Sequence, residues 1–400
     1  MEQKRHETTA EPSAEEAAAA AAVASVLGDD DLLAEILLRL GSPAWLVRAA
    51  LVSTRWLRRA SDPAVLRRFR ALHPPRILAL RLAAIWPLPI PQPRELTAAA
   101  GRVLQILTLS KVCDCRNGRL LIEVDGRERW EYPAYAIRSL LRPARDNPLP
   151  PPPHSISGNL LPAGQGNGHC RLLLLLGDDV ADTSCLCLDL THNGVQICVE
   201  FSVLESGAWG AQHCPVTELR QGLMDTFRAQ RLLVGRKLYM MTTHGNILGL
   251  DLATASFFTV QLPDEARTSK TLKLSRGQHS GLYLIDAIGF QLRIWHGDGA
   301  GQWVLVDAIS VREACGHLNV RKWEPDDGHT APLSVVVVGD NAEFVILELV
   351  ATGIVCCMQV GNRVVEKVAE GVLQNYDGLI RPITMVWPPI FPVLDKASQE

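Results

Sequence analysis

The sequence is poor in the groups that mark most enzymes and secreted proteins. Its ten cysteines contain no Cys-x-x-Cys and no Cys/His grouping with zinc-site spacing, and they are too few for a disulfide scaffold in 400 residues. Cys113/Cys115 and Cys185/Cys187 are Cys-x-Cys pairs in strand-like runs, so each pair points to one strand face and reads as small buried apolar residues. A reducing compartment suits such thiols. There is no Asn-x-Ser/Thr sequon, and the leucine run Leu172–Leu176 is far too short to span a bilayer. The alanines Ala17–Ala22 follow Glu11, Glu15 and Glu16 rather than a basic leader, so no signal or transit peptide is expected. The expected location is cytoplasmic and/or nuclear, with no membrane contact.

Catalytic motifs are missing as well. No nucleophile elbow, His-Glu-x-x-His or phosphate-binding Gly-Lys-Ser/Thr occurs. Gly164-x-Gly166-x-Gly168 has no strand before it and no helix after it, so it is no phosphate loop. His279, His296 and His317 stand near loops as solvated or hydrogen-bonded residues, and Asp178-Asp179, Asp264-Glu265 and Asp326-Asp327 read as turn carboxylates. No catalytic residue, cofactor or metal ligand is therefore expected. Net charge is −3, too small for a nucleic-acid footprint over the whole chain. One stretch is basic: ten arginines, no lysine and only Asp62 among the acids lie between Arg39 and Arg81. Its arginines are not interleaved with stacking aromatics, so a solvated face or one opposite an acidic protein is expected rather than nucleic acid.

What the chain does have begins at Leu27. Residues 1–25 are polar, then Ala-rich, and read as a disordered tail. Asp29, Asp30 and Asp31 stand where a helix would begin, capping free N–H groups and complementing the dipole. Leu33, Ile36, Leu37 and Leu40 follow at one-face helical spacing, and Gly41 ends the run. Ser42-Pro43 and Asp62-Pro63 are cap-plus-proline starts. Ala49, Val52 and Trp56 line the next seam; Leu66, Phe69 and Leu72 share a face before Pro74-Pro75. Residues 27–75 are thus three or four short helices, too few for a generous core, and such a module often completes itself on a partner.

From about Arg76 the texture changes to short apolar runs punctuated by Gly, Asn and Asp. Two segments read as flexible: Trp86–Pro91, and a Pro-then-Gly-rich loop over 147–168. The other runs read as strands, among them Arg119–Val124, Arg171–Leu176, Ser184–Leu190, Gln196–Leu204, Lys237–Thr242, Asn246–Leu252, Leu282–Asp286, Phe344–Val350 and Ile354–Val360. A weak repeat of three or four strands recurs over Leu172–Phe201, Arg231–Pro263, Gly281–Asp307 and Ser334–Val368. Such units suit propeller blades, with a β-sandwich or two small β domains as the alternative. The expected fold class is α+β by domain: a small helical module at 27–75, then an all-β, propeller-like domain over 76–394.

The leading Leu-acidic cluster, the Ile36-Leu37 pair, and Val52…Trp56 followed by Asp62-Pro63 resemble an F-box. Gly28 stands where the pattern has Pro, and Ser53 where it has Cys. The β region, notably Asp114–Ile122, Val234–Leu252, Ser280–His296, Val338–Leu349 and Arg381–Leu394, resembles the kelch-like or propeller-like associated region of a large plant F-box group. The resemblance implies a non-catalytic receptor subunit of an SCF-type cullin ubiquitin ligase. Leu27, Leu33, Ile36, Leu37, Leu40, Val52 and Trp56 would face a Skp-type adaptor and, through it, cullin. The β domain would hold an unidentified target protein, with the turns Thr243–Asn246, Gly297–Gly301 and Gly339–Asn341 as candidate contacts. Two other readings are a propeller scaffold outside ubiquitin transfer, and an enzyme with its site in the propeller mouth.

Overall fold

The computed structural model describes residues 26–41, 43–73, 77–82, 86–89, 94–109, 111–124, 134–140, 142–154, 168–177, 182–192, 196–218, 231–242, 246–267, 271–277, 281–326, 328–371, 380–384 and 391. The chain divides into two units, one formed by its N-terminal helices and the other spanning Arg76–Met385.

The first unit holds four helices, α1 (Asp30–Leu38), α2 (Pro43–Ala50), α3 (Thr54–Ala60) and α4 (Pro63–Leu72). Their starts are set by side-chain caps. Asp29 accepts from the Asp31 and Leu32 amides at 2.8 and 3.0 Å, Ser53 from Trp56 N at 3.3 Å, and Asp62 from Ala64 N and Val65 N at 2.7 and 3.3 Å. Pro63 then occupies the first helical position, where its missing N–H costs nothing. Ser42 lies outside the described residues. Helix α1 packs on α3 and α4, and α2 on α3. The interior is closed by Leu33, Leu37, Leu38, Leu46, Ala60, Val65 and Phe69.

The second unit is a ring of six sheets. It opens with β1 (Ile77–Leu82), β2 (Trp86–Pro89) and the helix α5 (Arg94–Leu109). Five four-stranded blades follow in chain order. The first is β3 (Lys111–Arg116), β4 (Arg119–Val124), β5 (Ala134–Ser139) and β6 (Arg142–Pro148). The second is β7 (Gly168–Leu175), β8 (Cys185–His192), β9 (Gln196–Glu205) and an outer strand split into β10 (Ala208–Trp209) and β11 (Val216–Glu218). The third is β12 (Arg231–Val234), β13 (Lys237–Met241), β14 (Asn246–Asp251) and β15 (Ser256–Gln261). The fourth is β16 (Lys273–Arg276), β17 (Leu282–Ile288), β18 (Gln291–Gly297) and β19 (Trp303–Ser310), followed by the short helix α6 (Val311–Ala314). The fifth is β20 (Leu333–Val338), β21 (Phe344–Leu349), β22 (Ile354–Gln359) and β23 (Val365–Glu370). Finally β24 (Ile380–Thr384) returns to pair with β1, giving a sixth sheet in the order β2-β1-β24.

The ring closes because both faces of each sheet are buried against a neighbour. In β4, Leu120 and Ile122 join a core with Leu78, Ala79 and Ile383 of the closing sheet, while Leu121 points the other way to Leu173, Leu175 and Cys185. Four further clusters fill the remaining junctions, ending where Ile77, Leu80 and Ile380 meet Val337, Ile346 and Val355. Burial on both faces is why runs such as Leu172–Leu176 and Val335–Val338 are continuously apolar rather than alternating. Propeller blades, not a sandwich, account for the repeat.

Two expectations are corrected. Trp86–Pro89 is strand β2 rather than a flexible segment, paired through Leu88↔Leu80 to β1. Asn147 and Pro148 belong to β6, and Gly168 begins β7, so the loop over 147–168 is shorter than its composition suggested; residues 155–167 lie outside the described set. The all-β propeller bears one long helix among its described residues: α5 packs on β1, β2 and β3, and its Val103 and Ile106 join the core between the closing sheet and the first blade.

Candidate functional site: an apolar helical patch and two unequal rims

In the helical unit the structure divides the residues singled out in the sequence. Leu33 and Leu37 are fully buried within the unit and hold its shape. Leu27, Ile36, Leu40 and Trp56 are half-buried. Val52 is 65 % exposed. Also exposed are residues that periodicity missed: Leu51, at 79 %, and Leu32, Trp45 and Val47. Leu51 and Val52 lie past the end of α2, in the turn before Ser53, so the helical seam read through Ala49, Val52 and Trp56 does not form. Trp45 and Val47 flank the buried Leu46, and Arg48 covers the Trp45 ring at 4.8 Å.

Four arginines of this unit pair with carboxylates of α1: Arg55 with Asp30, Arg59 with Asp31, and Arg39 and Arg68 with Glu35. Arg55 donates from Nε to Asp30 Oδ1 at 2.9 Å and from its two terminal nitrogens to the carbonyls of Leu27 and Gly28. Arg59 donates to Asp30 O at 3.0 Å and to Asp31 Oδ1 at 3.1 Å, and Arg68 to Glu35 Oε1 at 2.5 Å. The Leu32 and Asp31 amides hold the Asp29 carboxyl below its ordinary range, and the Arg68 bond does the same for Glu35. Gly28, standing where the F-box pattern has Pro, thus sits in a segment pinned by Arg55.

In the propeller, topology assigns each turn to a rim. Strands within a blade alternate in direction, so the first-to-second and third-to-fourth turns share one rim, while second-to-third turns and inter-blade connections share the other. First strands of neighbouring blades lie side by side with matching ends. Arg116 at the end of β3 donates to Leu175 O and Leu176 O at 3.0 and 2.6 Å, and Ser275 near the end of β16 donates to Gly339 O. Arg119 adds bonds to the carbonyls of Gly177 and Asp182. Gly297–Gly301 and Gly339–Asn341 therefore fall on the same rim. Thr243–Asn246 joins β13 to β14 and falls on the other; residues 243–245 lie outside the described set.

The two rims differ. The first carries tight turns such as Asn117-Gly118, both at positive φ, as a two-residue hairpin loop requires. It also carries both ends of the propeller chain, since Ile77 pairs with Thr384 where β24 finishes. The second carries the longer inter-blade connections, of which 311–332 is the best defined. There Phe290 and Trp323 meet edge-to-face at 5.6 Å, and the Arg312 guanidinium lies 3.8 Å from the Phe290 centroid.

Titratable groups in the blades are fixed by structure. His317 Nε2 bonds Val365 O at 2.9 Å and the His296 ring lies 4.9 Å from Tyr283; His279, Asp178, Asp179 and Asp327 are outside the described residues. Asp264 pairs with Arg267 and Asp326 with Lys322. Burial pushes Cys185 up to about 12 and Cys187 and Cys198 up to about 11, so these thiols stay protonated near neutrality. Among the described residues no group of three or more His, Cys, Asp or Glu is placed to hold a metal ion. No helix there is long and apolar enough to cross a membrane.

A closed ring of meander sheets, together with a capped helical unit, defines a β-propeller protein with an N-terminal helical module. The family model described as F-box protein AT5G49610-like, beta-propeller, matches residues 111–391, and the chain belongs to that family. Membership makes it a protein-binding propeller scaffold. No curated protein matches the chain. Among solved structures it is similar to a prolyl endopeptidase at 14 % identity and a TM-score of 0.32, over 64 % of this chain but only 33 % of that one. It is also similar to the Swd1 β-propeller domain of Myceliophteria thermophila (11 % identity, TM-score 0.31, 66 % and 74 % of the two chains). A third is Hsv2 of Kluyveromyces lactis (9 % identity, TM-score 0.30, 63 % and 74 %).

Proposed function

We propose that this chain is the target-recognition subunit of an SCF-type ubiquitin ligase. Its helical unit docks a Skp-type adaptor, and its propeller holds a target protein. The observation that carries the reading is the exposed patch of Leu51 and Val52, with Leu32, Trp45 and Val47 also exposed, on a unit whose interior is already closed by Leu33, Leu37 and Phe69. Large apolar side chains in that position are a partner surface, not an unfinished core. On this reading Leu33 and Leu37 shape the docking face from beneath, while Val52, Leu51 and the half-buried Trp56 and Ile36 touch the adaptor.

The mechanism is proximity: a rigid receptor raises the effective concentration of target lysines near a charged conjugating enzyme. The chain itself supplies no chemistry to the transfer. The target sits on the rim of the inter-blade connections, opposite the rim where β1 begins and β24 finishes. Co-purification of the full chain with a purified Skp-type adaptor tests the reading. Burying two aliphatic side chains is worth about 1.5–3 kcal/mol each, so Leu51→Glu with Val52→Glu lowers affinity by at least ~10-fold. No adaptor binding by the wild-type chain removes the ligase assignment. Cross-links from a captured target spread over both rims would remove the rim assignment.

A further inference from the structure

A closed ring still leaves each sheet an outer edge, and an edge with free N–H and C=O groups is a template for another strand. Five of the six outer positions here are protected. The outer strand of the closing sheet, β2, contains Pro87 and Pro89. Strand β6 contains Pro143 and ends at Pro148. The outer strand of the second blade is broken between β10 and β11. Strand β15 exposes Ser256, Thr259 and Gln261, and β23 carries Glu366, Lys367 and Glu370.

Strand β19 is the exception. Its sequence, WVLVDAIS, has no proline and no lysine, and Val304, Leu305 and Val306 are 65, 44 and 53 % exposed. Three consecutive exposed apolar residues show that both faces are open as well as the edge. A bulge at Val306, where Leu305 pairs with Trp295 but Asp307 pairs with Ile294, breaks the strand and limits the accessible stretch to its first half. The surroundings are acidic. Asp298 shapes the turn into β19. Asp264 and Glu265 lie in a segment held beside the blade by Trp303 Nε1 to Gln261 O at 2.8 Å and Arg293 Nη2 to Glu265 O at 2.9 Å. Asp307 of β19 itself is paired to Arg363, and Asp264 to Arg267, which leaves Glu265 and Asp298, of these four carboxylates, without an ion pair among the described residues.

We infer that the edge of β19 docks an extended, β-branched segment of a partner protein that is flanked by basic residues. The segment adds as a fifth strand to the fourth blade, gaining main-chain hydrogen bonds along the edge and side-chain contacts with Val304–Val306. A second copy of this chain is the poorer occupant. A half-strand edge interrupted by a bulge buries far less than the roughly 1,200–2,000 Å² of a stable dimer, and the acidic surroundings would be duplicated across the two-fold axis. The site lies on the outer wall of the fourth blade, next to the turn Gly297–Gly301, and does not depend on the ligase assignment.

The test uses the full chain and a labelled peptide in which Val-Thr-Val-Thr-Val is flanked on each side by two lysines. Binding is expected, with increased hydrogen-exchange protection confined to residues 303–308. N-methylation of alternate peptide amides should abolish it, replacement of the lysines by glutamates should weaken it at least ~10-fold, and Val304→Lys in the protein should do the same. Val304 is exposed, so that variant should melt as the wild type does and still bind adaptor; Val304→Thr, which keeps the β-branch, should retain binding. Equal binding of the N-methylated peptide, indifference to Val304→Lys, protection elsewhere, or no binding at saturating peptide overturns the inference. So does a wild-type dimer that Val304→Lys converts to monomer, because the occupant would then be a second copy.

Discussion

Asp286 offers the sharpest test of how the blades are held. It lies fully buried on β17, opposite Arg293 on β18. Arg293 Nε donates to Asp286 Oδ1 at 3.1 Å, its Nη2 donates to Oδ2, and Trp295 Nε1 donates to Oδ1 at 3.3 Å. Arg293→Met keeps much of the side-chain length but leaves a buried carboxylate with the indole as its remaining partner here. Breaking such a pair from one side costs roughly 3–5 kcal/mol, whereas replacing both members by apolar residues is neutral or stabilising by about 1–4 kcal/mol. The expected order of stability is therefore wild type and Asp286→Leu/Arg293→Met together, with Arg293→Met alone well below. Urea unfolding of the full chain followed by tryptophan fluorescence reads this out. With a slope of about 3 kcal/mol per molar, the single variant shifts the propeller midpoint down by roughly 1–1.7 M and the double variant recovers it. A double variant as unstable as the single one would show that the cost comes from lost packing of the Arg293 stem, and would refute the electrostatic account.

Three further outcomes follow from the same structure. Leu37→Ala truncates a fully buried side chain at a cost of about 2–5 kcal/mol, and because the units have separate interiors, hydrogen exchange should rise over 30–72 and stay unchanged in β3–β24. Gly249 pairs with Phe258, and a Cβ there would meet the Phe258 ring at 2.1 Å, so Gly249→Ala should destabilise the third blade by about 1–3 kcal/mol in the same urea assay. Asp29 and Glu35 have folded-state values below their unfolded ones, so their stabilisation is present above the ordinary carboxylate range of about 4 and is lost as pH falls through it. Protection factors over 30–72, taken relative to the intrinsic exchange rate at each pH, should thus fall between about pH 5 and 3, and Asp29→Asn should flatten that dependence.

The helical unit was legible because its signals are local. Asp29, Asp62 and Pro63 cap where the sequence places them, since a cap needs only a carboxylate within three residues of a free amide. Strands β4, β14, β21 and β22 were readable for the same reason, as short apolar runs between turn residues. Strands β2 and β16 escaped notice. One contains two prolines and the other is four residues long with polar members, and each exists only because a neighbouring strand supplies its ladder. Helix α5 was masked by the strand texture around it.

The sequence by itself determined the two-part organisation, the capped helices and the repeated meander, because each follows from contacts a few residues apart. Ring closure was decided by tertiary structure alone. It needs β24 to meet β1 across nearly the whole propeller, and no local pattern encodes a pairing of that separation. The same is true of exposure. Leu37 and Leu51 are equally apolar in the sequence, yet one is sealed inside the helical unit and the other is exposed in a turn. Val304–Val306 reads like any other strand run, and only the ring shows that its edge was left open while the other outer positions were blunted.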